Sequence, residues 1–83
     1  MNDFSHKISN ISTSPVKIID AKVNKEMFEG RMQQILTAQV KNCPFGEGEE
    51  IEIDTDKMKL IGTIVWKMDE LIKVKMTKLI TIN

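Results

Sequence analysis

Few groups in this chain of 83 residues can do chemistry. It holds one histidine, His6, one cysteine, Cys43, and no tyrosine. A thiol becomes a catalytic nucleophile when a base is held within hydrogen-bond reach of it. His6 stands in a Ser/Thr/Asn-rich lead unsuited to holding fixed geometry, so no Cys43/His6 dyad is expected, and Cys43 reads as a small half-buried loop residue ahead of Pro44. The remaining candidates are carboxylates. Glu47, Glu49, Glu50, Glu52, Asp54 and Asp56 fall within ten residues that contain no basic side chain, a density that could serve acid/base or metal-assisted hydrolysis.

Spacing argues against both. Glu52, Asp54 and Asp56 alternate as the opening of a calcium loop does, but Lys57 occupies the position where that loop needs glycine, and no acidic residue follows at its closing position. A looser magnesium site that adds Glu50 would display its carboxylates on a solvent face where lysines already stand beside them. Gly46-Glu47-Gly48 is followed by neither Lys-Ser/Thr nor a helix, and its glutamates repel an anion, so it serves chain reversal and cradles no phosphate. No Cys-x-x-Cys pair exists to build a zinc site. The expectation is a non-enzymatic protein with no catalytic residues, no metal and no cofactor.

Charge is the next source of function. The formal net charge is +0, yet residues 1–46 sum to +2, residues 47–56 to −6 and residues 57–83 to +4. Eleven of the twelve basic residues are lysine, and Arg31 is the only guanidinium, which counts against bidentate recognition of phosphates or bases. Lys57, Lys59, Lys67, Lys73 and Lys75 are expected on one strand face. They form the alternative, nucleic-acid-binding site, although stacking aromatics are expected to be missing from it, with Trp66 on the opposite, apolar face.

The elements that would position these groups are strands. Residues 25–41 admit an amphipathic helix or a strand, and register decides for a hairpin over residues 16–42. A turn at Glu29-Gly30 pairs Met27/Met32, Val23/Leu36, Ala21/Ala38 and Ile19/Val40 on one face, with only Gln34-Ile35 out of phase. NCPFGEGEE then reads as a connection. A turn at Thr55-Asp56 pairs Ile53/Met58 and Ile51/Leu60, setting Asp54 against Lys57 and Glu52 against Lys59. In the last hairpin a two-residue turn at Asp69-Glu70 would set Trp66 opposite Lys73 and mix the apolar and basic sets. A three-residue loop, Met68 to Glu70, pairs Trp66/Ile72, Ile64/Val74 and Gly62/Met76 instead. Gly62 opposite a methionine marks a bend or bulge. In the lead, Phe4, Ile8 and Ile11 recur at helical spacing behind Asp3, which could cap a short helix.

The expected fold is therefore all-β: a small five-stranded antiparallel up-and-down barrel or two-layer sandwich of SH3, Sm or OB size. Residues 1–15 form a loose or short-helical arm, and residues 16–83 form one β domain built from a hairpin at 16–42 and a meander at 49–83. A chain this small buries roughly 63% of its surface, a thin core that self-association would supplement. The lone cysteine, the lack of a signal-peptide h-region in the first fifteen residues and the lack of an apolar run of about 18 residues place it in the cytoplasm. The function expected is binding to a protein partner or self-assembly as an oligomer. The Lys/Ile/Asn-rich composition suits a bacterial or phage accessory protein, an inhibitor or a virion component, with no membrane partner. Ile61, Val65 and Leu79, apolar residues at outward positions on adjacent strands, are the expected contact patch.

Overall fold

A computed structural model describes residues 6–10 and 13–82. The described residues form seven strands and no helix: β1 (Lys7–Asn10), β2 (Thr13–Lys17), β3 (Asp20–Phe28), β4 (Arg31–Gln39), β5 (Glu50–Asp54), β6 (Met58–Met68) and β7 (Leu71–Ile82). All pairs are antiparallel, in one open sheet of order β2-β1-β5-β6-β7-β4-β3. The all-β class stands. Three finer expectations do not: among the described residues there are seven strands rather than five, the order is not up-and-down, and no ladder closes the sheet into a barrel.

The additional strands come from the lead. Lys7–Asn10 is a strand, not part of a helix, and it pairs with β5 so that Ile8 lies opposite Ile53, both fully buried. A helix of two turns without partners is marginal in water, whereas the free edge of β5 satisfies the backbone of β1 and buries Ile8 at once. Asp3, Phe4 and Ile11, the rest of that expected helix, lie outside the described residues.

The changed order has a packing reason. In a meander β4 would lie beside β5. Instead β4 lies beside β7, with Leu36 opposite Val74 and Ala38 opposite Ile72, four buried side chains on one face. With β5, β6 and β7 joined by hairpins and β4 reaching β5 through residues 40–49, the four strands make a Greek key. Phe45, in that connection, is 1% exposed and packs in the core.

The first hairpin has the expected register. Glu29 (φ 54°) and Gly30 (φ 82°) make the turn, and Met27/Met32, Val23/Leu36 and Ala21/Ala38 are opposed. The expected Ile19/Val40 pair is not in the ladder. Ile18 enters the core and Ile19 is exposed, because the chain turns a corner between β2 and β3. Ile18 N–H donates to the His6 carbonyl at 2.9 Å and Ile19 N–H to the Gln39 carbonyl at 2.8 Å. Two consecutive amides thus tie the two ends of the sheet together through one corner, and the sheet curls around a single core that includes Ile8, Ile18, Leu36, Val40, Phe45, Ile53, Leu60, Ile64 and Ile72.

The β5–β6 register is offset by two residues from expectation: Ile53 faces Leu60, Ile51 faces Gly62 and Asp54 faces Lys59. An even offset keeps every side chain on its own face, so Ile51 and Ile53 remain buried. Thr55 sets the longer turn. Its Oγ1 accepts from the N–H of Lys57 (3.2 Å) and of Met58 (3.0 Å), and its own N–H donates to the Met58 carbonyl at 2.8 Å.

Candidate functional site

The β6–β7 hairpin decides which side chains reach the outer surface. Its turn is the two-residue Asp69-Glu70, with Asp69 at φ 53° and Met68 opposite Leu71. From there Lys67 faces Ile72 and Trp66 faces Lys73, yet further along Ile64 faces Val74 and Gly62 faces Met76. Val65 is therefore an extra residue, a bulge that changes the phase of β6. Both apparently incompatible registers exist, one on each side of it.

Two expectations change sign as a result. Trp66 is not on the core side; it shares the outer face with Lys73. Lys67 is not on the lysine face; it turns inward and is half-buried, its ammonium donating to the carbonyls of Cys43 (3.1 Å) and Phe45 (2.8 Å). That cation ties the Greek-key connection to β6, and the Lys67 backbone N–H donates to Glu47 Oε2 at 3.2 Å beside it.

On the outer face, Ile35 is 2% exposed although it points away from the main core. It lines a cavity of about 230 Å³ together with Glu26, Met27, Phe28, Val65, Trp66 and Lys73. The Lys73 ammonium bonds Glu26 Oε1 at 2.9 Å and lies 5.7 Å from the centroid of the Trp66 ring. Lys75 bonds Glu29 Oε1 at 3.2 Å and lies 6.0 Å from the Phe28 centroid. Both ammoniums lie within range for attraction by the ring faces. The out-of-phase Ile35 and the Trp66/Lys73 pairing were the sequence signals for this face; Phe28 carried none.

The five lysines do not form one field. Lys57 is exposed in the turn, Lys59 pairs with Glu52 at 3.4 Å, Lys67 faces inward, and Lys73 and Lys75 are each bonded to a glutamate. The expected trio is divided as well. Val65 lines the aromatic cavity, and Ile61 lines a groove of about 430 Å³ with Ser9, Asn10, Glu49, Glu50, Ile51 and Glu52. Leu79 lies opposite Leu60 and is 46% exposed. Besides Val65, extra residues in β7 at Thr77 and Ile80 break the simple parity on which the trio was grouped.

The acidic segment works structurally. Glu49 Oε2 accepts from Gly46 N–H at 2.8 Å and its Oε1 from Asn10 Nδ2 at 3.3 Å, which closes the Gly-rich connection on itself and onto β1. Among the described residues no cluster of three or more His, Cys, Asp or Glu is arranged to hold a metal ion. His6 Nε2 lies 3.3 Å from Asp56 Oδ1, while the Cys43 thiol donates to the Phe45 carbonyl at 3.6 Å, so these two residues are engaged at separate places. The chain matches no protein-family model, no curated protein and no solved structure.

Proposed function

We propose that this chain is a small non-enzymatic interaction module that binds a protein partner through the outer face of β3, β4, β6 and β7. The observation that carries this reading is Ile35. It is 2% exposed although it points away from the core, and it lines a cavity walled by Phe28, Val65 and Trp66, so the outer face of the sheet offers an apolar recess. The partner is a protein segment that inserts one apolar side chain there and meets the Glu26–Lys73 and Glu29–Lys75 pairs at the rim. Desolvated aromatic walls with a polar rim are the usual anatomy of a binding hot spot. The lone cysteine and the Lys/Ile/Asn-rich composition support an accessory protein inside a bacterial or phage-infected cell, acting without a cofactor.

A second reading has one observation in its favour: Trp66 and Phe28 alternate with Lys73 and Lys75 on one face, the pattern of a single-strand stacking platform. The neutral net charge and the glutamates already bonded to both lysines weigh against it, since phosphate binding depends on releasing counterions from uncompensated charge.

Trp66 is the only tryptophan and reports on its own cavity. Affinity capture from the source cell, run with the native chain and with Phe28→Glu and Val65→Lys variants of unchanged melting temperature, identifies the partner. Titration of that purified partner should shift Trp66 emission for the native chain and fail to do so for both variants. A captured partner that binds all three equally, or oligonucleotide binding that quenches Trp66 and weakens steeply with salt, overturns the proposal.

A further inference from the structure

We infer that a second copy of this chain binds along the free edge of β3, the two β3 strands running antiparallel about a two-fold axis centred on Asn24. β3 ends the sheet and, among the described residues, pairs with β4 alone. Phe28 and Arg31 close the two-residue turn, so the alternation of an antiparallel ladder directs the backbone N–H and C=O groups of Ala21, Val23, Lys25 and Met27 away from β4. Ala21 and Val23 also line, with Leu36, Met58 and the β5–β6 turn residues Thr55, Asp56 and Lys57, a groove of about 280 Å³ on the core-side face of β3.

The charge pattern of β3 selects the occupant and its register. A two-fold axis normal to the sheet keeps each side chain on its own face, so only registers that oppose residues of equal parity are open. Centred on Asn24, Lys22 of each copy meets Glu26 of the other, and Ala21 meets Met27, each pair occurring twice. Centred on Val23, Asp20 meets Glu26. Centred on Lys22, Lys25 or Glu26, that residue meets its own copy. Every alternative that opposes five or more residues of each β3 brings like charges into opposition, which destabilises cross-strand pairs. Lysines on an edge ordinarily discourage pairing; here Lys22 rejects wrong registers and rewards one. Lys73 engages Glu26 at Oε1, and among the described residues Oε2 remains for the second cation. The exposed Met27 gains an apolar neighbour in the same register.

This inference builds on the interaction-module reading but concerns the sheet edge, and the two fail separately: Val65→Lys disables the cavity and leaves the β3 edge intact. Sedimentation equilibrium over a concentration series should show a reversible dimer for the native chain. Lys22→Glu should raise its dissociation constant about tenfold or more by placing two like-charge pairs in the interface, and Lys22→Glu combined with Glu26→Lys should restore it. A covalent test uses nearly native protein. Asn24 would face its own copy as a non-hydrogen-bonded pair, about 4.5 Å between Cα atoms, within disulfide reach. Oxidised Asn24→Cys in a Cys43→Ser background should therefore yield a linked dimer, and Lys22→Cys in the same background should not. A native chain that stays monomeric throughout, a dimer indifferent to Lys22→Glu, or equal cross-linking from positions 22 and 24 overturns the inference.

Discussion

At Gly62, β7 lies against β6 with no room for a side chain. A Cβ built there would lie 2.5 Å from Val74 Cγ1 and 2.6 Å from the Lys75 carbonyl oxygen, and a backbone oxygen held in a ladder cannot step aside. Gly62→Ala should lower stability by about 2–3 kcal/mol through forced strand separation, measured as a fall in the urea midpoint at unchanged m-value. A loss below about 0.5 kcal/mol, the range of neutral surface changes, would show that the strands are not in contact there. This residue was legible in the sequence, as a glycine opposite Met76. Lys67 was not. A lysine in an alternating strand reads as solvated, and only the Val65 bulge, together with the carbonyls of Cys43 and Phe45, makes an inward ammonium favourable.

At the level of elements, the β3–β4 hairpin was readable because its two-residue turn requires positive φ at both central positions and Glu29-Gly30 stands where three apolar pairs come into register. β6–β7 was misread because a bulge has no compositional mark of its own: an extra valine in a strand looks like any other valine. The hairpin also tests how far burial is shared across a pair. Leu36 lies in β4, between two strands, and is 1% exposed, whereas Val23 opposite it lies in edge strand β3 and is half-buried. Leu36→Asp should abolish folding, since it buries an unpaired carboxylate. Val23→Asp should leave a folded protein about 1–2 kcal/mol less stable, its carboxylate reaching water at the free edge. Circular-dichroism melts of both variants, run at concentrations where the chain is monomeric, check this, and equal collapse would mean that Val23 is buried as deeply as Leu36.

For the molecule as a whole, the Greek-key connection carries a core residue that no periodicity announces. Phe45 stands in NCPFGEGEE between Pro44 and Gly46, in a stretch with every mark of a loop, yet it fills the interior beneath Lys67. Phe45→Ala should cost about 3–5 kcal/mol, enough to unfold most of a domain of this size at ordinary temperature, and chemical denaturation would show whether the connection is this integral; a loss under about 1 kcal/mol would make it a surface loop. The sequence by itself determined the all-β class, the first hairpin and its turn, the inward faces of β4 and β5, and the bend at Gly62, because each depends on local alternation and on residues that adopt special backbone angles. Only the tertiary structure decided that β4 lies beside β7, that the lead supplies two strands, that Trp66 faces out while Lys67 faces in, and that Phe28, Ile35 and Trp66 share one recess. Those features depend on which strand edges and apolar faces remain unsatisfied after the local pairs have formed. That is a competition among distant segments, won here by the opposition of Leu36 with Val74, Ala38 with Ile72 and Ile8 with Ile53, and no local pattern records its outcome.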